Sequence, residues 1–222
     1  MLENIKGIVF DMDGTLIDSL MIWNVIWEEF GKRFSYSKGL SIAAEDDRAV
    51  RTMTLKDAMY YVHSRYSLGK SGDELLDAAN EIMFDFYSNR VKLKKGVSEF
   101  LEYCYGKGIK MCIASATDVK LIKVAVEHCN IGKYFFEILS CADLGKGKDI
   151  PDIYIKALEI LGTSAEETVV FEDSYIAIGT AHDIGIKTVG IYDRFNYGHD
   201  IIKKLSDVYI AEGENLQKII KV

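Results

Sequence analysis

The sequence is poor in several features, and each shortage excludes a class of protein. A single proline, Pro151, stands among its 222 residues, so helices can run uninterrupted and few rigid linkers are expected. The longest apolar stretch, residues 20–27, is far shorter than the ~20 apolar residues that a membrane-spanning helix requires. The first ten residues include Glu3 and too short an apolar run for a signal peptide.

Basic residues are also in the minority. The chain has 27 Lys and Arg against 34 Asp and Glu, a net charge of −7. Nucleic-acid-binding proteins normally present a basic face, and anionic membrane surfaces attract basic segments. We therefore expect neither nucleic acid nor a membrane among the partners.

The four cysteines form neither a zinc motif nor a C-x-x-C redox pair. We expect reduced, mostly buried thiols in a cytoplasmic protein at these positions: Cys104, Cys112, Cys129 and Cys141. Hydrophobic residues make up 49% of the chain and charged residues 27%, an ordinary globular composition that excludes disorder. A chain of this length buries about 70% of its unfolded surface and needs no disulfide to fold.

Apolar periodicity divides the chain into an alternating part and a purely helical part. A buried strand is expected at 7–10, and helical spacing follows from 20 to 30, near 54–66 and near 74–87. From residue 96 on, helices alternate with strands that are expected at 109–114, 137–140, 168–171, 187–191 and 207–211. This alternation predicts an α/β fold, in which an all-helical cap domain is inserted into a Rossmann-like parallel-sheet core with helices on both faces. We expect the core to comprise residues 1–15 and 93–222, and the cap residues 16–92.

Chemically useful side chains follow the ends of several predicted strands. Because ligands of open parallel sheets bind outside the carboxyl ends of the strands, these side chains are expected at one edge. Carboxylates gathered there would repel one another, and a divalent cation with a preference for oxygen ligands, such as Mg²⁺, would offset the repulsion. A lysine and a hydroxyl at the same edge suit a phosphoryl group. The set consists of Asp11, Asp13, Ser115, Lys146, Lys148, Glu172 and Asp173.

Each fragment by itself also has a plainer interpretation. D-x-D-G is often a turn or a loop metal site, and E-D-S is often a helix N-cap. Ser115 alone would be a cap, and Lys148 alone a solvated surface charge. Their joint placement after successive strands is what favours a phosphoryl-transfer site.

With these residues in place, the sequence resembles the haloacid dehalogenase superfamily. Residues 10–19, FDMDGTLIDS, are similar to its first motif, and Ser115 in IASAT to its second. Lys148 followed by Pro151-Asp152 resembles the third motif, and VFEDS at 170–174 the fourth. The resemblance covers essentially the whole chain. The helical insert resembles the cap of the subgroup that holds phosphoglycolate phosphatases and β-phosphoglucomutases.

The resemblance implies a role for each matching residue. Asp11 would be the nucleophile that forms an aspartyl-phosphate, and Asp13 the general acid and base. Mg²⁺ would be held by Asp11, Asp173, the backbone carbonyl of Asp13 and, as a further ligand, Glu172. The phosphoryl oxygens would be bound by Thr15, Ser115, Ala116 and Lys148. Gly14 would let the chain turn, so that both aspartates can flank one phosphorus.

Three positions depart from the family pattern. Lys95 replaces the usual proline of the segment that re-enters the core, and Asp149 replaces the first proline of the third motif. Ala177 stands where the fourth motif usually continues with glycine. Lys146 competes for the phosphate-binding role, and we prefer Lys148 because Pro151 and Asp152 fix the register.

The cap is expected to recognise the substrate. The candidate residues for this contact are Trp23, Arg48, Arg51 and Lys56. The plainer interpretation places the tryptophan in the core of the cap and the cations on a solvated face. We predict a Mg²⁺-dependent phosphatase of a small phosphorylated metabolite, such as a sugar phosphate, that is a monomer or a weak homodimer.

Three alternatives stay open at this point. A phosphomutase of the β-phosphoglucomutase type fits IASA at 113–116, although Trp23 stands where the mutase has a histidine. A phospho-receiver module also pairs early aspartates with Mg²⁺ and a late lysine, but it is much shorter. A non-catalytic scaffold is disfavoured because no motif residue is missing.

Overall fold

The structure, a computed structural model, describes residues 2–34, 40–51 and 53–220, which fall into two compact units. One unit, here called the core, comprises Met1–Leu20 and Val91–Val222, and the other, the cap, comprises Met21–Arg90. Residues 16–20, which the sequence assigned to the cap, group with the core. The reason is local: Leu16 O accepts a hydrogen bond from Lys94 N at 2.9 Å, and Ile17 pairs with Leu93 in an isolated bridge.

Six strands form one parallel sheet in the described part of the core. They are β1 (Gly7–Phe10), β2 (Lys110–Ser115), β3 (Glu137–Ser140), β4 (Thr168–Glu172), β5 (Lys187–Ile191) and β6 (Val208–Ile210). Their spatial order is β3-β2-β1-β4-β5-β6, so the first strand of the chain is central. All six predicted strands are present, and the predicted Rossmann-like parallel sheet is confirmed.

The helices of the cap come first in the chain and those of the core follow. The cap has α1 (Ile22–Arg33), α2 (Ala44–Val50), α3 (Leu55–Tyr66) and α4 (Gly72–Asn89). The core has α5 (Val97–Gly106), α6 (Val119–His128), α7 (Cys141–Leu144), α8 (Asp152–Leu161), α9 (Tyr175–Asp183), α10 (His199–Leu205) and α11 (Gln217–Ile220), with a 3₁₀ turn at Gly132–Tyr134.

Consecutive residues of β1 face opposite sides of the sheet, as the pleat of a strand requires. Val9 belongs to a buried cluster with Tyr154 of α8 and Ala181 of α9. On the other face the Phe10 ring lies 4.9 Å from that of Phe171 and 6.2 Å from that of Phe100 in α5, centroid to centroid. Both faces of the sheet are therefore packed, which explains why β1 is apolar throughout and fully buried.

A buried carboxylate joins two of the cap helices, and a side-chain hydrogen bond caps a third. Asp46 of α2 accepts hydrogen bonds from the hydroxyls of Tyr61 and Tyr66, both at 2.5 Å. Ser71 Oγ accepts from Glu74 N at 3.1 Å and caps the N-terminus of α4. No sequence pattern predicts α2, because only two of its seven residues are buried and one of them is charged.

All four cysteines are free thiols, and three of them are buried, Cys104, Cys112 and Cys141. Within the described ranges, no helix combines the length and the apolar character that a bilayer crossing demands.

Candidate active site

Three neighbouring strands end side by side at one edge of the core sheet. Phe10 in β1 is in register with Ile113 in β2 and with Phe171 in β4. Asp11 follows β1 directly, and its backbone N–H donates to Phe171 O at 2.9 Å. Ser115 is the last residue of β2, and Glu172 is the last residue of β4. Parallel pairing therefore gathers residues that lie more than 150 positions apart in the chain.

The chain leaves the strand direction directly after Asp11 and forms a tight turn. The amides of Leu16 and Ile17 both donate to Met12 O, at 2.9 and 3.1 Å. Gly14 has φ +76°, a conformation that side chains with a Cβ rarely adopt. A Cβ at this position would lie 2.3 Å from Asp173 Oδ2, so the space is also closed. Position 14 therefore requires glycine both for the turn and for the approach of Asp173.

The carboxylates of Asp11, Glu172 and Asp173 form a buried cluster, with one ligand oxygen of each within 4.8 Å of the others. The Lys148 ammonium donates to Asp11 Oδ1 and to Glu172 Oε1, both at 2.5 Å. The other Glu172 oxygen accepts from the backbone amides of Asp173 at 2.8 Å and Ser174 at 2.9 Å. Glu172 is thus fixed on both oxygens by groups of the core.

The charges of this cluster do not balance, because three carboxylates face one ammonium. Burial raises the pKa of Asp11 from 3.8 to about 8, against the opposing attraction of Lys148. Burial and the neighbouring Glu172 raise the pKa of Asp173 well above its ordinary value. Burial disfavours the charged form of Lys148, but the Asp11 and Glu172 carboxylates outweigh it and raise its pKa.

A divalent cation fits this donor set. Hard carboxylate oxygens are the ligands that Mg²⁺ and Ca²⁺ prefer, and the excess of buried negative charge is what such a cation would neutralise. The carboxylate of Asp13 does not belong to the cluster, among the residues that the structure describes.

Asp13 is instead held by two hydroxyl groups. Ser19 Oγ donates to its Oδ1 at 2.6 Å, and Thr117 Oγ1 donates to its Oδ2 at 2.7 Å. Asp13 is half-buried, whereas Asp11 is only 7% exposed. The two aspartates of the first motif therefore lie in different surroundings, one in the charged cluster and one between hydroxyls, which suits a division of roles between them.

The four predicted phosphate ligands have different surroundings. Ser115 is buried, and its Oγ accepts from Thr117 N at 3.2 Å, which leaves the hydroxyl proton available to a ligand. Ala116 next to it is exposed. Thr15 is buried, and its Oγ1 has no hydrogen-bond partner in the described part of the chain. Thr15 lines a cavity of about 560 Å³ whose wall includes neither Ser115 nor Lys148.

The two candidate lysines differ clearly in position. Lys148 is 11% exposed and lies in the carboxylate cluster. Lys146 is exposed and forms an ion pair with Asp152 at the start of α8. Lys148 is therefore the lysine that lies beside Asp11.

The predicted cap residues have partners or solvent around them within the cap. The Trp23 ring lies 5.6 Å from that of Trp27, centroid to centroid, and is half-buried. Arg51 Nε donates to Asp47 Oδ2 at 2.9 Å, and the arginine side chain is only 12% exposed. The two remaining candidates, Arg48 and Lys56, are exposed.

The structure adds polar residues to the edge that sequence reasoning did not assign a role. Thr117 could have been found, because its hydroxyl follows the same strand end as Ser115. Asn196 donates to Asp173, and Lys94 contacts the carbonyl of Gly14. No motif marks either of the last two, since both depend on loop conformation.

The family model described as haloacid dehalogenase-like hydrolase matches residues 8–191. A phosphorylated carbohydrates phosphatase of Thermotoga maritima is 24% identical over 217 residues, which cover 97% of this chain and 98% of that protein. A phosphoglycolate phosphatase of Shigella dysenteriae is 25% identical over an alignment 228 positions long, which covers 93% of this chain and 88% of that protein.

A solved structure supports the same fold. The crystal structure of a candidate beta-phosphoglucomutase from Thermotoga maritima has a TM-score of 0.83 and 24% identity to this chain. The match covers 98% of this chain and 100% of that one. At this level of identity the likeness shows the fold alone.

Proposed function

We propose that this chain, which belongs to the haloacid dehalogenase-like hydrolase family, is a phosphatase that hydrolyses small phosphorylated metabolites with Mg²⁺ and through an aspartyl-phosphate on Asp11. Sugar phosphates and related phosphomonoesters are the proposed substrates. The named activities of the relatives, on phosphorylated carbohydrates and on phosphoglycolate, support this class.

One observation carries the proposal: Asp11 is buried among Glu172, Asp173 and Lys148 at the edge where Ser115 ends its strand. A carboxylate is a poor nucleophile toward a phosphate dianion, because both are negative. Positive charge beside Asp11 removes this repulsion, and Lys148 supplies part of it. A buried carboxylate also keeps the reacting atoms away from bulk water.

The proposed metal site consists of the Asp11, Asp173 and Glu172 carboxylates with the Asp13 backbone carbonyl. Bound Mg²⁺ would supply charge neutralisation for the phosphoryl group and keep Asp11 ionised at neutral pH. The Lys148 ammonium and the Ser115 hydroxyl would bind phosphoryl oxygens and orient the phosphorus toward Asp11.

The proposed reaction has two steps, and Asp13 moves the proton in both. An Asp11 oxygen bonds to phosphorus while the bond to the substrate oxygen breaks, and Asp13 donates its proton to the departing alcohol. Asp13 then accepts a proton from water, whose oxygen bonds to phosphorus as the bond to Asp11 breaks. Inorganic phosphate and free Asp11 result. The hydroxyls of Ser19 and Thr117 support this role, because they hold the Asp13 carboxylate in one orientation.

We further propose that the cap contributes to substrate choice through Trp23, Arg48, Arg51 or Lys56. Among the cations, Arg48 and Lys56 are exposed, whereas Arg51 is engaged by Asp47. A cation of this kind suits a substrate with a second anionic group.

The test is phosphate release from p-nitrophenyl phosphate and from a panel of phosphorylated sugars and phosphoglycolate. Release is expected with Mg²⁺ and not with excess EDTA. Asp11→Asn should abolish it, and Asp183→Asn, which alters an exposed aspartate outside the cluster, should leave it unchanged. Normal turnover by folded Asp11→Asn would overturn the nucleophile.

The same assay separates the phosphatase from the mutase alternative, which the IASA segment at 113–116 favours. With β-glucose 1-phosphate, free phosphate supports the phosphatase. Accumulation of glucose 6-phosphate would identify a mutase instead.

A further inference from the structure

The Asp173 carboxylate is held by a side-chain amide from the loop that follows β5. Asn196 Nδ2 donates both to Asp173 Oδ2 and to the backbone carbonyl of Asp173, each at 2.7 Å. One amide group thus bridges the side chain and the main chain of the same residue. This contact fixes the side-chain torsions of Asp173, which is only 5% exposed.

The orientation of the Asn196 amide follows from its second partner. Its Oδ1 accepts from the backbone N–H of Tyr197 at 2.7 Å, which only an oxygen can do. The nitrogen must therefore point toward Asp173. If the amide were reversed, its oxygen would face the Asp173 carboxylate, and the hydrogen bonds to Asp173 and to Tyr197 would both be lost.

The turn that carries Asn196 is itself fixed by Asp193. Asp193 Oδ1 accepts from Phe195 N at 2.9 Å, and Asp193 O accepts from Asn196 N at 3.0 Å. Asp193 is 3% exposed, so its charge requires a partner. Lys94 provides that partner, with its ammonium 2.8 Å from Asp193 Oδ2.

Lys94 connects this turn to the loop of the first motif. Its ammonium also donates to Gly14 O at 2.6 Å and to Tyr192 O at 2.9 Å. An ammonium has three protons, and all three have an acceptor here. Gly14 directly follows Asp13, so a continuous set of hydrogen bonds runs from the first-motif loop through Lys94 and Asp193 to Asn196 and Asp173.

We propose that Asn196 is a positioning residue that holds the Asp173 carboxylate ready to bind a divalent cation, and that Asp193, paired with Lys94, fixes Asn196 for this task. The inference rests on the proposed function, since it assigns Asp173 to the metal site. Asn196 touches neither the substrate nor the reacting atoms in this role. Residues that orient a metal ligand typically change metal affinity or activity by about 10- to 100-fold when they are removed.

The test measures Mg²⁺ binding by calorimetry on the full chain without substrate. Asn196→Ala is expected to raise the Kd for Mg²⁺ by about 10-fold or more, with a matching rise in the Mg²⁺ concentration needed for activity. Tyr197→Phe is the matched control, because it alters an exposed side chain on the same turn and should leave the Kd unchanged. The melting temperature in EDTA shows that each variant is folded.

Asp193→Asn tests the second part with little change of shape. It weakens the charge pairing with Lys94 and should raise the Kd by a smaller factor. Combined with Asn196→Ala it should add little, because both changes act through the same contact to Asp173. Fully multiplicative effects in the double variant would overturn the role of Asp193.

A folded Asn196→Ala with the wild-type Kd would overturn the inference, and so would an equal loss in Tyr197→Phe. Wild-type protein that binds no Mg²⁺ would overturn it together with the metal site. Wild-type protein that binds Mg²⁺ but releases no phosphate would refute the proposed function alone, because the Kd comparison needs no turnover.

Discussion

Replacement of Asp11 by asparagine is expected to stabilise the metal-free protein even though it abolishes turnover. The side chain is 7% exposed, and burial raises its pKa from 3.8 to about 8. The unfolded chain therefore loses this proton at a lower pH than the folded chain. Between these two pKa values the folded state binds more protons, so its stability falls as the pH rises. From the unfolded-state pKa to pH 7 is roughly 3 pH units. At ~1.4 kcal/mol per unit, the free energy of unfolding of the wild type is therefore lowered by about 4 kcal/mol at pH 7.

Asparagine has no charge to lose, so the variant escapes this penalty. The raised pKa of Asp11 already includes the attraction of Lys148, so the variant gives up only the hydrogen bond from Lys148 to a carboxyl oxygen, which subtracts on the order of 1–3 kcal/mol. The expected net effect near pH 7 is a gain of ~1–3 kcal/mol in the free energy of unfolding, or roughly 2–12 °C in melting temperature for a chain of this length.

The assay is urea unfolding in EDTA, followed by circular dichroism. Tryptophan fluorescence would report on the cap alone, because Trp23 and Trp27 are the two tryptophans of the chain and both lie there. The advantage of Asp11→Asn should shrink by about 2–3 kcal/mol between pH 7 and pH 5, where the wild-type penalty is smaller. Asp183→Asn, an exposed control at the end of α9, should change stability by less than ~1 kcal/mol at either pH.

Two results would refute the reasoning. One is a variant that is less stable than wild type in EDTA at pH 7, and the other is a stability difference that does not depend on pH. Saturating Mg²⁺ should reverse the order, because only the wild type keeps the full set of carboxylates and gains the full binding energy.

The remaining predictions concern the acid, the lysine and the thiols. Asp13→Asn is expected to lower kcat by ~10²–10⁴-fold, whereas its Mg²⁺ affinity, measured by calorimetry, should stay within about twofold of wild type. A normal kcat would contradict the role of Asp13 in proton transfer. Lys148→Met should destabilise the metal-free protein by ~3–5 kcal/mol in urea unfolding, because it leaves buried carboxylates without their ammonium. Lys146→Met, whose ion pair is exposed, should cost less than ~1 kcal/mol, and equal losses in the two variants would count against the charged cluster. Burial raises the pKa of Cys104 and of Cys112 to about 12. Neither thiol should therefore react with iodoacetamide in the native protein near pH 8. Peptide mass spectrometry that finds either cysteine labelled before unfolding would contradict their burial.

The strands of the core could be predicted because each is a short apolar run that ends in polar residues. β1 and β4 are buried along their whole length, so their sequences carry a strong signal. The sequence signal is weak where a helix or strand buries few apolar side chains. α2 has an acidic first turn and a single buried apolar residue, Val50, and no periodicity marks it.

The same contrast applies to the site. Asp11, Ser115 and Glu172 could be placed at one edge from the sequence, because strand ends in a parallel sheet meet there. Asn196 and Lys94 could not, since their contacts depend on the path of a loop and on a long side chain that crosses between two segments. Sequence patterns predict helices and strands well, but they do not predict which residues an irregular loop will contact.

The central position of β1 has a consequence for how the protein is made. Gly7 pairs with Lys110 on one side and with Thr168 on the other, so neither neighbour exists when the first strand leaves the ribosome. At ~5–20 residues per second, synthesis up to β4 takes on the order of 10 s, and β1 waits through it with both edges open. The helical cap, built from contacts between segments close in sequence, is complete long before. We expect the inserted unit to fold first and the nascent core to depend on chaperones that shield its opening strand.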